Sequence, residues 1–142
     1  MMNDFIFQTG LQVRDYECDL QGIVNNAVYQ NYLEHCRHLF LRSAGLDFDK
    51  LHNEGIDAVV IRAEVDYKNS LYPGDDFIIQ LKIGRKGHLR IVFDQQIIRK
   101  SDNLLIVKAR ITTALIQNGR PVSMEKLPDE FKMAAIKIPE VP

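Results

Sequence analysis

The chain has 142 residues, 46% hydrophobic and 26% charged, the length and balance of one soluble domain with one buried core. A formal net charge of -1 lacks the basic excess of a nucleic-acid binder, and no apolar run is long enough to span a bilayer. The polar start at Asn3 and Asp4 lacks a signal peptide's basic region, and two cysteines make no disulfide framework, so a cytoplasmic location is the default expectation.

Phe5, Phe7, Thr9, Leu11 and Val13 alternate with Ile6, Gln8, Gln12 and Arg14, which predicts a first strand. Asp19-Leu20-Gln21-Gly22-Ile23-Val24-Asn25-Asn26 then combines an acid in a turn, a glycine for tight folding and two asparagines suited to cap a helix. From Ala27 to Ala44, Val28, Tyr29, Tyr32, Leu33, Cys36, Leu39 and Phe40 recur at helical spacing, with Gly45 where a C-terminal cap belongs. Leu46 to Asn53 predicts further helical turns, stopped by Gly55. From Val59 the period becomes two: Val59, Ile61, Ala63, Val65 and Tyr67 are expected on the core side, opposite Val60, Arg62, Glu64, Asp66 and Lys68. Tyr72-Pro73-Gly74-Asp75 is a turn signal.

Phe77, Ile79, Leu81 and Ile83 alternate up to the basic turn Gly84-Arg85-Lys86-Gly87. Leu89, Ile91 and Phe93 alternate next, and the phase slips at Gln95-Gln96, which reads as a bulge. Leu105, Val107, Ala109, Ile111, Thr113 and Leu115 form the longest regular strand, ended by Asn118-Gly119. Leu127-Pro128-Asp129-Glu130 opens a short last helix. With no internal repeat or linker, residues 1–142 read as a single domain. Four consecutive strands on short links predict an α+β chain whose antiparallel sheet wraps around the one long helix. Leu104, Ile106 and Ile116, joined by Val60 and Ile98, are left on the outer face, so burial against another subunit is expected.

Asp19 places a carboxylate just before a helix whose free N–H groups and dipole favour developing negative charge. The plain alternative is a turn or cap residue, as most isolated Asp-x-x-Gly patterns are. Glu17 is the second acid, with a solvated strand-end charge as its alternative. Cys18 has no local His-Asp partner and reads as a small buried thiol. His35 and His38 can share a helical face, but Cys36 points elsewhere, so no metal is expected. Tyr29 and Tyr32 read as core or pocket wall.

The stretch from Val13 to Tyr29 resembles the signature of hot-dog-fold acyl-CoA thioesterases, closest to the 4-hydroxybenzoyl-CoA thioesterase type. That resemblance implies a five-stranded antiparallel sheet around a central helix, with Asp19 as nucleophile or general base. It implies that the Asn26 backbone N–H polarises the thioester carbonyl and that Gly22 permits the turn between them. It also implies that Val59, Val60, Ile61 and Arg62 flank the pantetheine and thioester, and that Arg85, Lys86 and Gly87 meet the coenzyme A phosphates; an ordinary solvated hairpin is the alternative for the last three. Coenzyme A is then part of the substrate, no cofactor is needed, and the assembly is a homodimer or homotetramer. Where relatives carry a histidine-containing pair, this chain has Asn25-Asn26, which leaves Asp19 as the main chemical group. An acyl-carrier-protein thioesterase, a hydratase and a non-catalytic acyl-CoA-binding module are the rivals, and the absent histidine counts against the hydratase.

Overall fold

Helix α1 (Asn26–Ser43) is the axis of the fold in a computed structural model that describes residues 5–135 and 137–141, so Asn3 and Asp4 lie outside the described residues. Asn25 caps the helix, its side-chain oxygen accepting the Ala27 N–H at 2.9 Å. At the other end Gly45, at φ 75°, lets the chain leave in a left-handed turn. Tyr29, Tyr32, Leu33, Cys36, Phe40 and Leu41 are buried along one stripe, and Arg37 is buried with them. No helix among the described residues is long and apolar enough to cross a membrane.

Around α1 curls one antiparallel sheet. Its strands are β1 (Phe7–Gln12), β2 (Ile56–Tyr67), β3 (Asp76–Lys86), β4 (Arg90–Arg99), β5 (Leu105–Gln117) and the two-residue β6 (Arg120–Pro121). Their order is β1-β3-β4-β5-β2, with β6 on β5. Apart from that small sixth strand, this is the hot-dog arrangement implied by the resemblance. Helix α2 (Phe48–Asn53) precedes β2, and α3 (Asp129–Ala135) lies near the C-terminus. Leu33, Cys36, Ile79, Leu81, Ile97, Val107 and Leu115 meet in the core between helix and sheet.

Four sequence expectations are corrected here. The Tyr72–Asp75 turn does not join sheet neighbours: β2 pairs with β5 at the edge, and the chain crosses the sheet end to reach β3. That crossing is tied down by the Lys68 and Asn69 N–H groups, both donating to the Ile106 carbonyl at 2.8 and 3.1 Å.

Gln95 and Gln96 are in regular register with Ala109 and Lys108, so no bulge lies there. Gln95 instead takes a core-facing place as a hydrogen-bonded polar residue. The register shift of this strand pair falls between Ile97 and Ile98, opposite Ile106. Ile106 is the extra residue, turned inward beside Val107, and is fully buried in its own chain rather than on an outer face. Among the other expected outer residues, Leu104, Ile116 and Ile98 are half-buried.

A second bulge skips Ile61 between Val60 and Arg62. Cross-strand partners share a face. Val60 therefore joins Ala63, Val65 and Tyr67 on the helix side, opposite Thr113, Ile111, Ala109 and Val107. Val59, expected on that side, faces away.

Candidate active site

Asp19 opens a tight hairpin closed by the antiparallel bridge between Cys18 and Val24. Its N–H donates to Ile23 O at 2.9 Å, and its carbonyl accepts from the Gly22 N–H at 3.0 Å. Gly22 sits at φ 75°, a conformation that an L side chain strains. The half-buried Asp19 carboxylate accepts the Gln21 N–H at 2.9 Å. With its amide turned to donate, Gln21 Nε2 reaches both carboxylate oxygens at 3.2 and 3.0 Å. Asp19 thus holds its own turn, while an ionised carboxylate retains lone pairs for a further donor.

The other arm of the hairpin leads into α1. The Val24 N–H donates to Leu71 O at 3.0 Å, and the Asn25 N–H to Glu17 O at 3.2 Å. Asn26 is the first helical residue, and no group among the described residues accepts its N–H. Tyr67, at the end of β2, donates its hydroxyl to the Asn26 carbonyl at 3.4 Å. Tyr29 is buried and accepts the Leu71 N–H on its hydroxyl at 2.9 Å. Both tyrosines fix the helix start against the crossing segment. Tyr67 carried no local sequence signal for this role, since its partner lies 41 residues away.

Beside this corner lies a cavity of about 270 Å³ lined by Leu11, Gln12, Arg14, Glu17, Asn31, Tyr32 and His35. Glu17 uses Oε1 to accept the Arg14 N–H at 2.8 Å. A second groove of about 250 Å³ runs between α1 and the β2 edge, past Gln30, Glu34, Arg37, Val60 and Ala63.

The remaining predicted residues lie elsewhere in the chain. Val59, Val60, Ile61 and Arg62 sit on the exposed β2 edge, where Val59, Val60 and Ile61 are 43–47% exposed. Arg62 pairs with Glu64 at 3.3 Å. Arg85 and Lys86 end β3 and Gly87 follows in the turn; Lys86 is ten residues from the strand's start at Asp76 and hence about 33 Å away. The Arg85 guanidinium is already engaged: Nε donates to Ile138 O and Nη1 to Gly87 O, both at 3.0 Å, and Nη1 stands 3.5 Å from Glu140. The Gly87 N–H donates to Glu140 at 3.3 Å, whereas the Lys86 side chain is exposed.

His35, Cys36 and His38 diverge. Cys36 is fully buried, with burial pushing its thiol up to about 11, while His35 is exposed and His38 pairs with Glu34 at 3.6 Å.

A family model described as the thioesterase-like superfamily matches residues 13–140. A chloroplastic acyl-acyl carrier protein thioesterase of Arabidopsis thaliana is 35% identical over 122 residues, covering 85% of this chain. The chain spans 64% of that plant relative's length. The crystal structure of a hypothetical protein from Aquifex aeolicus superposes with a TM-score of 0.80 at 29% identity, covering 91% of this chain and 98% of that one. A DHNA-CoA thioesterase from Staphylococcus aureus shares the fold with a TM-score of 0.84 at 19% identity, over 92% of this chain and 88% of that one.

Proposed function

This chain belongs to the thioesterase-like superfamily, and on that premise we propose that it is a thioester hydrolase that cleaves an acyl-CoA to a carboxylic acid and free coenzyme A. One observation carries the assignment of roles: the Cys18–Val24 bridge holds Asp19 and the N-terminus of α1 on adjacent arms of one hairpin. Asp19 attacks the thioester carbonyl or activates water, and the Asn26 N–H receives the developing oxyanion. Thiolate is a good leaving group, so an oriented oxygen and an oxyanion donor are sufficient machinery. Water is the second substrate, and no metal or redox cofactor takes part.

The site is completed by a second copy of the chain. Within one chain, Asp19 and Asn26 lie at the Tyr67 end of β2, while Val59–Arg62 lie toward its start, and Arg85–Gly87 lie where β3 ends, at the far side of the sheet. Antiparallel pairing of two β2 edges reverses one sheet against the other and carries the partner's copies of those segments toward this chain's helix start. The exposed Val59 and Ile61 and the unpaired edge support such pairing.

A second reading, an acyl-carrier-protein substrate, is favoured by the 35% identity to the plant enzyme. Free-thiol release over short, long and aromatic acyl-CoAs, beside the same acyl groups on a carrier protein, decides between them. Cleavage confined to the carrier-bound substrates overturns the coenzyme A reading.

A further inference from the structure

β2 is a strand of 12 residues with β5 on one side and, among the described residues, no strand on the other. Its inward positions are Ile56, Ala58 and Val60 before the bulge, and Ala63, Val65 and Tyr67 after it. A two-fold axis that pairs two such edges antiparallel stands normal to the sheet and keeps both helices on one face. A regular strand then sets inward residues against inward ones only where some residue faces itself. The bulge at Ile61 shifts the phase by one and closes that register to β2.

The inward set is instead a mirror image about the point between Ile61 and Arg62. Turned about that point, the whole strand overlaps its copy: Val60 meets the partner's Ala63, Ala58 the partner's Val65, and Ile56 the partner's Tyr67. A second face-matched register exists, but it sets Val60 on the bulge and leaves Asp66 and Tyr67 beyond the end of the facing strand.

On the outward face, full overlap puts Val59 against the partner's Glu64 and Asp57 against the partner's Asp66. Like charges directly opposite repel. Each acid has a cation beside it. His52 of α2 contacts Asp57 through Nδ1, and their side chains are 72% and 52% exposed, open to a group from another chain. Lys108 of β5 stands opposite Asp66 in the same sheet. With His52 protonated, that row of two acids and two cations is balanced; with His52 neutral, one negative charge is left over. Around His52, Asp47 and Asp49 of the α2 start and His38 and Arg42 of α1 line the same cavity, with His38 paired to Glu34.

We infer that two copies of this chain join along β2 about the point between Ile61 and Arg62, with His52 balancing Asp57 against Asp66 of the partner subunit. This inference rests on the shared-site reading and adds a register and a charge-balancing residue to it. In the dimer the imidazolium gains a second carboxylate, so pairing tightens as His52 takes up its proton and loosens as it gives it up.

Disulfide trapping in a Cys18→Ser background reads the register. Val59→Cys with Glu64→Cys should join two chains on mild oxidation, whereas Val59→Cys with Arg62→Cys, which fits the other register, should not. Labelled chains diluted to nanomolar concentrations read the charge balance. The dimer Kd should rise about three- to tenfold between about pH 5.5 and about pH 8, the scale of two exposed ionic rows. Asp66→Asn should flatten that rise. A dimer that gives the second cross-link or neither, or a pH dependence that is absent or survives Asp66→Asn, overturns this seam and leaves the shared site standing. A wild type that sediments only as a monomer overturns both.

Discussion

Arg37 of α1 donates from Nη1 to Gln95 Oε1 of β4 at 3.0 Å, and both side chains are buried. Gln95 passes the bond on, its Nε2 donating to Leu33 O at 2.9 Å. Helix and sheet are thus locked in register by a charged group inside the core, over and above apolar packing. Burial lowers the Arg37 pKa, and this contact offsets part of that cost together with the Glu34 charge and the Phe93 ring, 6.0 Å away.

Gln95→Leu removes that partner and leaves the guanidinium buried without it. The loss should be roughly 1.5–3 kcal/mol, the scale of a hydrogen bond to a charged group. It should appear as a lower urea midpoint at unchanged slope. Adding Arg37→Met should restore much of the stability, because the buried charge goes too. A single Gln95→Leu variant as stable as the wild type would show that the pair contributes nothing.

The same pair marks where the sequence stops being legible. Helix α1 was readable because its caps and its 3.6-residue stripe are local, and the alternating strands were readable for the same reason. Gln95 read as a phase slip because hydrophobicity, not geometry, broke the alternation; its partner is 58 residues away. The bulges at Ile61 and Ile106 left no trace in the pattern, since each falls inside an unbroken apolar run, Val59-Val60-Ile61 and Leu104-Leu105-Ile106-Val107. The Asp19–Asn26 hairpin is short-range and was legible. The Glu17–Tyr32 cavity joins a turn to a helix face, and periodicity showed only a core tyrosine.

Asp19→Asn keeps the size of the side chain and its turn-holding oxygen, so the hairpin should persist. Turnover should fall by ~100-fold or more, the scale of a lost acid–base group. Unchanged turnover in a protein with a wild-type melting curve rules out the proposed mechanism.

Assembly is tested at the β2 edge. Ile61→Lys sets a charge on the exposed bulge and should shift sedimentation toward the monomer, with activity lost in parallel because the site is shared. Ile106→Lys, in contrast, buries a charge in the chain's own core and should unfold it. An Ile61→Lys protein that stays oligomeric places the interface elsewhere.

His52 contacts Asp57 through Nδ1, and that hydrogen bond, then the aspartate's charge, raises its pKa above the ordinary 6.5. A raised folded value means that the contribution is complete below 6.5 and is lost as pH rises through the folded pKa. NMR titration should place His52 above 6.5 in the wild type and lower in Asp57→Asn. Identical titrations in the two proteins would dismiss the pairing.

Arg85 and Lys86 were expected to act together on the coenzyme A phosphates, yet their surroundings give them different work. Arg85 is spent within the chain: its N–H donates to Pro139 O at 2.9 Å, its carbonyl accepts the Val141 N–H at 2.9 Å, and its side chain grips Ile138, Gly87 and Glu140. Gly84, next to it, makes room for Val141, because a Cβ there would stand 2.4 Å from Val141 Cγ1. Arg85→Ala should therefore lower the melting temperature and leave KM for acyl-CoA little changed. Lys86 is exposed and should be the residue that meets phosphate. Lys86→Ala should raise KM for acyl-CoA about two- to fivefold, an exposed and salt-screened contact, with the effect shrinking as salt rises. The same acyl group on N-acetylcysteamine has no phosphates, so its hydrolysis should be equal in wild type and Lys86→Ala. A Lys86→Ala protein impaired equally on both substrates, or on neither, refutes the phosphate contact without touching the role of Asp19.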